Sequence, residues 1–548
     1  MDFNDYFLGS DTSKHKSTFY KTIDKGLEFY SGSTRNNKVL NYLKPEEIKN
    51  IVAENLPTNS SDIDSILKSL DLIGKYSVSQ SDLNYVAFPD SGNSVAALVG
   101  DIYSKFINQN LIAFDRSAPY ATFIEIQLIE WLRELIGYEH ISLKELSSLS
   151  QVSGMCTTGG HMSNHIAVMS ALNVKYPNIK KTGLTHIKEA PKIILAGDIS
   201  HYSFSSAMHH LGLGQDNIIN CPSNSDFTTD IEELERILQE HIKLDDIFMV
   251  VCVAGNSRTS SIDNIADIYK ICEKYKIWLH VDACHGGSLL FSKKLKERDL
   301  KSIELADSIS IDPHKGMFVT YPLSYVLFKQ RDILVNFTRY EESVRNGSAW
   351  DLGYITPFYG SRGFESLKLW LLIKHIGLNK LAEIVEDRDL NAKVTAKLIQ
   401  DTGQFTLFNE MTFYRLVFVF YPHKYKHLIE SKKLSPETIL ELKKCIDYFT
   451  HLLNEVIYRD GIISLDEFKL LDLNNSTSLG LKDSRFFVSS LTVGNPLQNS
   501  DQLNFVINKL SYYAKKLEDA YYKKIMSILD GKEFNLNFKS APGPAGWK

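Results

Sequence analysis

Between about residues 150 and 330 the chain alternates between two hydrophobic rhythms. Short apolar runs rich in β-formers, "KIILAG", "NIINCP", "IFMVVCVAG", "WLHVDAC", "SISI" and "SYVLFK", are separated by stretches whose apolar residues recur every three or four positions. Runs this continuously apolar predict strands buried on both faces, hence a mostly parallel sheet covered by helices. One connecting helix carries a start signal: Asp230, with Glu233 three residues on, forms a capping-box-like pair ahead of "LERILQE". Upstream, "AALVGDIYSKFINQN" and "ATFIEIQLIEWLRELIGY" predict two long amphipathic helices, preceded by a polar helical region that closes in the turn-rich "SQSDLNYVAFPDSGNS". After about residue 378 the order becomes helix, strand "YRLVFVFYP", helix, strand "RFFVSSLTV" and a final helix from about Asp501. The expected division is an N-terminal helical segment over 1–95, a large sheet domain over 96–378, and a small α+β domain over 379–548 ending in the flexible tail "APGPAGWK".

Composition narrows what such a protein does. With 548 residues, 43% of them hydrophobic, it can bury large cores in two or three domains. A formal charge of −5 points to neither nucleic acid nor an anionic membrane as partner, and no apolar run approaches the ~20 residues of a membrane helix. The six cysteines form no C-x-x-C pair, which argues against a zinc site or a disulfide framework and fits a reducing cytosol. The start, "MDFNDYFLGSDTSK", is acidic and polar, unlike a signal sequence. A soluble cytoplasmic enzyme is expected.

In an open parallel sheet, ligands bind beyond the carboxyl ends of the strands, so the residues after each run are the candidates for chemistry. After "QVSGMC" comes "TTGGHMSNHIAVMSAL", a glycine pair opening into a helix that would present backbone N–H groups and a helix dipole to a phosphate. It has neither the Lys-Ser/Thr of a nucleotide P-loop nor a dinucleotide fingerprint. His201 follows "KIILAG", Asp282 closes "WLHVD", and "DPHKG" follows "SISI". Lysine is rarely buried, so Lys315 at the end of a core strand needs a reason beyond packing. A phosphate cradle, a carboxylate, an imidazole and a lysine at neighbouring strand ends are what pyridoxal 5′-phosphate needs. The lysine forms a Schiff base, the carboxylate keeps the pyridine nitrogen protonated, and the imidazole stacks on the ring. His161 and His165 are four apart on a helix, but no Glu follows His161 and no third ligand has the right spacing, so no metal is expected.

These motifs stand in the order and spacing of a known family. Through "SAPYATFIEIQLIEWLRELIGY", "TTGGHMSNHIAV", "HYSF", "WLHVDACHGG", "DPHKG" and "GSRGFESLKLW", from about Asn84 to beyond Asn495, the chain resembles the group II pyridoxal-phosphate-dependent amino acid decarboxylases. These include the aromatic amino acid and glutamate decarboxylases. The resemblance implies an aspartate-aminotransferase-type (fold type I) α/β fold, a homodimer with sites at the subunit interface, and conversion of an L-amino acid to its amine and CO2. Carried over residue by residue, it implies Lys315 as the Schiff-base lysine, Asp282 as the pyridinium partner and His201 as the ring-stacking group. His314 would lie near the cofactor and the substrate carboxylate, and Gly160, His161 and Met162 at the phosphate.

The departures from the family pattern are local. Cys284 puts a thiol where a small apolar residue usually faces the ring, and Asp312 stands where many members have Asn. Cys284 is expected to be a small buried residue rather than a nucleophile. Ser206 replaces a lysine of the H-x-S-x-x-K-A motif, and Gly255-Asn256-Ser257 replaces G-T-T, leaving open which group meets the cofactor's phenolic oxygen. The segment "NFTRYEESVRNGSAWDLGYITPFYG" matches a family loop that closes over the partner's site and supplies a protonating tyrosine; Tyr340, in charged surroundings, is preferred to Tyr354. The family's side-chain pocket is formed partly by the loop "NYVAFPDSGNS", where Phe88 favours an aromatic or apolar amino acid while Ser91 and Asn93 suit a polar head. The same fold and lysine also serve retro-aldol lyases and oxidatively deaminating decarboxylases. A non-catalytic interaction protein is the remote alternative, against which an intact Lys315, Asp282 and His201 argue.

Overall fold

The computed structural model describes residues 6–197, 199–337 and 349–534. In the N-terminal region, helices α1 (Lys16–Ser31) and α2 (Ile63–Tyr76) pack on each other. They leave Phe19, Tyr20, Ile23 and Leu27 of α1 exposed. The two amphipathic patterns that follow form α3 (Val95–Ile107) and α4 (Pro119–Ile136). The second is buried along most of its length and sits beneath the main sheet.

The alternating region builds a seven-stranded sheet: β1 (Gly154–Thr157), β2 (Lys192–Ala196), β3 (Ile218–Cys221), β4 (Ile247–Val253), β5 (Trp278–Asp282), β6 (Ser308–Ile311) and β7 (Ser324–Phe328). Its order is β1-β7-β6-β5-β4-β2-β3. Strands β3, β2, β4, β5 and β6 run parallel, whereas β7 is antiparallel to both β6 and β1. One edge therefore collects the carboxyl ends of six strands and the amino end of β7. Every residue of β4 is buried, as its unbroken apolar run requires. Helices α5 (Gly160–Lys175), α6 (Ser203–His210) and α7 (Ile231–His241) connect the strands. At the start of α7 the Asp230 carboxylate accepts from the Glu233 N–H at 3.1 Å, but the Glu233 carboxylate turns to Arg236, so only half of the expected capping box forms.

The C-terminal part carries helices α8 (Leu378–Asp401), α9 (Pro436–Asp460) and α10 (Ser500–Leu529) around an antiparallel sheet of β8 (Thr406–Leu407), β9 (Arg415–Val419), β10 (Asp466–Leu471) and β11 (Arg485–Thr492), in the order β10-β11-β9-β8. Two hydrophobic cores result, one on each sheet. The turn-rich loop before α3 bridges them: Val86 packs in the C-terminal core, its N–H bonds to Ser464, and its carbonyl accepts from Thr492 N–H at 2.7 Å. Beyond Pro89 the loop lies against the stretch after Lys315, where Ser94 N–H bonds to the Phe318 carbonyl. Among the described residues no helix is long and apolar enough to cross a membrane.

Candidate active site

The strand ends singled out above meet in one cavity, lined by Gly160, His161, His201, Asp282, Cys284, Asp312 and Lys315 among others. Lys315 reaches into it from the turn after β6, where Nζ lies 2.8 Å from Asp312 Oδ2. The other oxygen of Asp312 accepts from Ser324 Oγ at 2.5 Å, a contact available because β7 runs antiparallel and starts at this edge. Burial works against the Lys315 charge, but Asp312 outweighs it and the amine's pKa ends above that of an ordinary lysine. Asp312 is the mirror case: burial would raise its pKa, yet Lys315 and His314 hold it below the usual carboxylate range.

Asp312 also abuts the start of α5. A Cβ at Gly160 would collide with Cys284 Sγ and stand 2.7 Å from Asp312 Oδ2, so only glycine lets the helix begin this close to the strand ends. In the first turn, the N–H groups of Met162 and Ser163 bond to the Gly159 carbonyl at 2.9 and 3.1 Å. Gly160 and His161, the first two residues of the helix and both in the cavity lining, have no intrahelical acceptor for their amides, and the positive end of the helix lies with them. Met162 differs from the expectation: its amide is engaged and its side chain packs on the large core. Burial pushes the Cys284 thiol well up, with Asp282 and Asp312 adding to the effect, so it lies in the wall as a neutral group.

Behind Asp282 runs a chain of hydrogen bonds whose direction is set by its carboxylate, which only accepts and so turns Nδ2 of the Asn164 amide toward itself and Oδ1 toward His280. Trp278 Nε1 can only donate, and it does so to Ser308 Oγ at 2.8 Å. Ser308 then turns its own hydrogen to His280 Nδ1, 2.8 Å away. With Nδ1 accepting, His280 carries its proton on Nε2 and donates to Asn164 Oδ1 at 3.2 Å. The Asn164 amide points Nδ2 at Asp282 Oδ2 (3.0 Å) and at Ser203 Oγ (2.9 Å). The second oxygen of Asp282 accepts the Cys284 N–H at 3.1 Å. Full burial pushes the His280 pKa down to about 4, so the link is a neutral imidazole at pH 7.

His201 stands at the opposite wall, its Nδ1 accepting the Ser203 N–H at 3.2 Å and its ring 4.3 Å from that of Tyr202. Burial lowers its pKa although Asp282 pulls the other way. His161 and His165 stack at 4.6 Å, and His165 Nε2 meets His210 Nδ1 at 3.0 Å; among the described residues no group of side chains could hold a metal ion. His314 has its Nδ1 on the Leu323 carbonyl at 2.6 Å and its ring on Tyr321 at 4.4 Å. The Asn256 side chain staples its own turn, accepting from Thr259 N–H at 2.7 Å, and Ser257 lines the cavity beside it. Tyr340 lies outside the described residues, and Tyr354 sits half-buried in a short helical turn over Leu352–Ile355.

Several participants escaped the sequence reading. Asn164 was within reach, since it lies four residues after Gly160 and so on the same face of α5. His280 and Ser308 carry no such signal, because their pairing depends on the β5–β6 register. Asp90, which accepts from Tyr321 Oη at 2.6 Å, stood in the quoted loop without being singled out.

Comparison with known proteins places this geometry in context. The family model described as "Pyridoxal-dependent decarboxylase conserved domain" matches residues 45–421. The glutamate decarboxylase of Drosophila melanogaster is 28% identical over 358 residues, 64% of this chain and 68% of that protein. Among solved structures, mouse CSAD in its apo form superposes with a TM-score of 0.80 at 22% identity, over 92% of this chain and 99% of the other. Oryza sativa TDC, solved with PLP and tryptamine, gives 0.78 at 19% identity, over 93% and 99%. At these identities the two structures establish a shared fold.

Proposed function

Because the chain belongs to the pyridoxal-dependent decarboxylase family, we propose that it converts an L-amino acid to the corresponding amine and CO2, with pyridoxal 5′-phosphate as cofactor. The observation that carries this reading is the single cavity into which Lys315, Asp282, His201 and the open start of α5 all project. The donor set fits the cofactor. Lys315 would hold its aldehyde carbon, Asp282 its ring nitrogen, His201 a ring face, and the amides of Gly160 and His161 its phosphate, with Cys284 and Asp312 flanking. When bound, the cofactor supplies a conjugated ring that accepts the electron pair of the breaking Cα–carboxylate bond.

The protein's own groups set up that chemistry. Asp282 holds a proton at the ring nitrogen, and the Asn164 amide, oriented by His280 and Ser308, stabilises its negative charge. Asp312 steers the Lys315 amine with an ion pair, and Gly160 keeps the cavity open where any side chain would fill it. His314, fixed by the Leu323 carbonyl, stands beside Lys315 on the side where the substrate carboxylate would lie. A tyrosine returns a proton to Cα, Tyr340 in preference to Tyr354. If so, Tyr340→Phe still releases CO2 but yields aldehyde, ammonia and peroxide from O2 in place of amine. An unchanged amine yield there, with the loss in Tyr354→Phe, moves the role.

The assembly is a homodimer built through the N-terminal segment up to residue 95 and α3. In support, α3 exposes Val95, Val99, Ile102, Tyr103 and Phe106, and Phe106 lies 5.2 Å from Phe19 on the exposed apolar face of α1; clustered exposed apolar side chains of this kind mark protein interfaces. All six cysteines are free, buried thiols, which supports a reducing compartment such as the cytoplasm. A panel of L-amino acids assayed for CO2 and amine tests the activity. Amine in step with CO2 is expected; carbon–carbon cleavage without CO2, or aldehyde as main product, transfers the reading to a retro-aldol lyase or an oxidative decarboxylase.

A further inference from the structure

His285 is a buried imidazole outside the set that Lys315, Asp282 and His201 form. It is 8% exposed and lines the same cavity, in the turn after β5. Its Nδ1 lies 2.6 Å from the hydroxyl of Tyr414, a fully buried residue that immediately precedes β9 yet packs in the core of the large sheet. The roles in this bond follow from what each atom can do. The Tyr414 hydroxyl has no other hydrogen-bond partner among the described residues, so a proton on Nδ1 would leave the phenol's own hydrogen buried without an acceptor. Tyr414 therefore donates, Nδ1 accepts, and the neutral ring carries its proton on Nε2. Burial holds the His285 pKa well below that of an ordinary imidazole, with the charges of Lys315, Arg415, His201 and His314 adding to the effect, and burial pushes that of Tyr414 upward. Both groups are neutral at pH 7.

Nε2 is then a donor without an acceptor among the described residues, on a ring in the wall of the cavity, and a buried donor of this kind calls for a partner. The covalent structure of pyridoxal says which atom that is. Its aldehyde carbon is attached between the carbon bearing the hydroxyl and the carbon bearing the phosphate arm. With the aldehyde at Lys315 and the phosphate at the start of α5, the hydroxyl turns to the side of the cavity away from α5. His285 lies on that side. The residue before it, Cys284, abuts Gly160 of α5, whereas a Cβ at Gly255 would stand 3.5 Å from His285 Cβ, and the Gly286 N–H bonds to the Ala254 carbonyl at 3.0 Å, just after β4. Asn256, on the same side, is fully engaged in its own turn: Nδ2 donates to Thr259 Oγ1 at 2.7 Å, and Oδ1 accepts from Arg258 N–H at 2.9 Å and Thr259 N–H at 2.7 Å. The Ser257 carbonyl accepts from Arg415, and its hydroxyl is the competitor for the same role.

We propose that His285 donates from Nε2 to the phenolic oxygen of the cofactor, and that Tyr414 is the positioning residue that keeps the proton on that nitrogen. The inference rests on the decarboxylase reading and deepens it. A donor aimed at this oxygen holds negative charge there, beside the nitrogen of Lys315, and a hydrogen bond to a charged oxygen is stronger than one between neutral groups. It also makes the end of β9 part of the reaction centre, because the orientation of the imidazole depends on a hydroxyl carried by the C-terminal region.

The experiment measures binding to the full-length apoprotein, by equilibrium dialysis, of two probes: pyridoxal 5′-phosphate and 3-deoxypyridoxal 5′-phosphate, which lacks only the phenolic oxygen. His285→Leu is expected to weaken the first by about tenfold and the second by less than about twofold, because a purely structural loss would weaken both alike. Tyr414→Phe, which keeps the ring but frees the imidazole, is expected to give the same pattern at about threefold. His285→Gln, whose amide can accept from Tyr414 and still donate, is expected to restore most of the difference between the probes and covers the case in which the leucine variant does not fold. In the holoenzyme, His285→Leu is expected to move absorbance from the long-wavelength band toward the short-wavelength one, as loss of negative charge on the phenolic oxygen requires. Equal weakening of both probes, or a discrimination lost in Ser257→Ala and kept in His285→Leu, overturns the proposal while leaving the decarboxylase reading in place. Failure of the wild-type chain to bind either probe overturns that reading and the proposal with it.

Discussion

The buried carboxylates around Lys315 differ in how fully their oxygens are bonded. On one side, Asp282 and Asp312 have both oxygens bonded: Asp282 to Asn164 and Cys284, Asp312 to Lys315 and Ser324. On the other, Asp90 keeps one oxygen bare. The first pair is complete within the chain, and a polar network with every member bonded is rigid. If Asp282 and Asp312 serve the chemistry itself, substitutions there damage it for every substrate alike.

Lys315→Ala should have the largest effect. Loss of the amine is expected to lower turnover by about a thousandfold or more and to abolish the borohydride-bleachable absorbance band, while circular dichroism and the melting temperature change little. Near-normal rates with every substrate would remove Lys315 from the chemistry.

Asp282→Asn comes next. A neutral amide cannot balance a protonated ring nitrogen, so kcat is expected to fall by about a hundredfold or more, equally across substrates, with a smaller change in cofactor affinity measured by equilibrium dialysis. A loss confined to some amino acids would move Asp282 from the chemistry to substrate selection.

His280→Leu should have the smallest effect of the three on rate, because it touches neither cofactor nor substrate and acts by positioning Asn164. About a tenfold fall in kcat with little change in KM is expected, largely rescued in His280→Gln, whose amide can both accept from Ser308 and donate to Asn164. The residue also has a pH signature. Its folded pKa of about 4 lies below the ordinary 6.5, so between those values the unfolded chain binds a proton that the folded protein refuses. Stability is present above pH 6.5 and is expected to be lost as pH falls toward 4, by up to about 3 kcal/mol from this group. His285 and His314, also lowered by burial, act in the same direction, so the variant removes one step of the slope seen in denaturant titrations. An unchanged slope would mean that His280 is already accessible to solvent.

The apolar runs of the sequence were sufficient to determine β2 to β7, because strands buried on both faces must be continuously apolar and are bounded by turn-formers. The long amphipathic helices α3, α4, α8, α9 and α10 were equally legible, since a periodicity sustained over several turns admits no other element. The strands that went unread carry no such signal: β1 is four residues long, β8 is two, and β10 has charged Glu467 and Lys469 facing away from its core and a third charge, Asp466, on the inner face, paired with Arg415. That Lys315, Asp282, Gly160 and His201 line one cavity was legible in the sequence, because each stands at the end of a recognisable run, where the topology of a parallel sheet gathers the residues that follow its strands. Only the tertiary structure decided the rest. That Asp312 is bonded by Ser324 depends on β7 turning antiparallel; that His280 and Ser308 orient Asn164 depends on the β5–β6 register; and that Asp90 meets Tyr321 depends on a loop pinned between Phe318 and Gly494. Local sequence patterns report which face of an element is buried, whereas a hydrogen bond between residues more than a hundred positions apart is specified only when the packed elements bring the two groups to within about 3 Å.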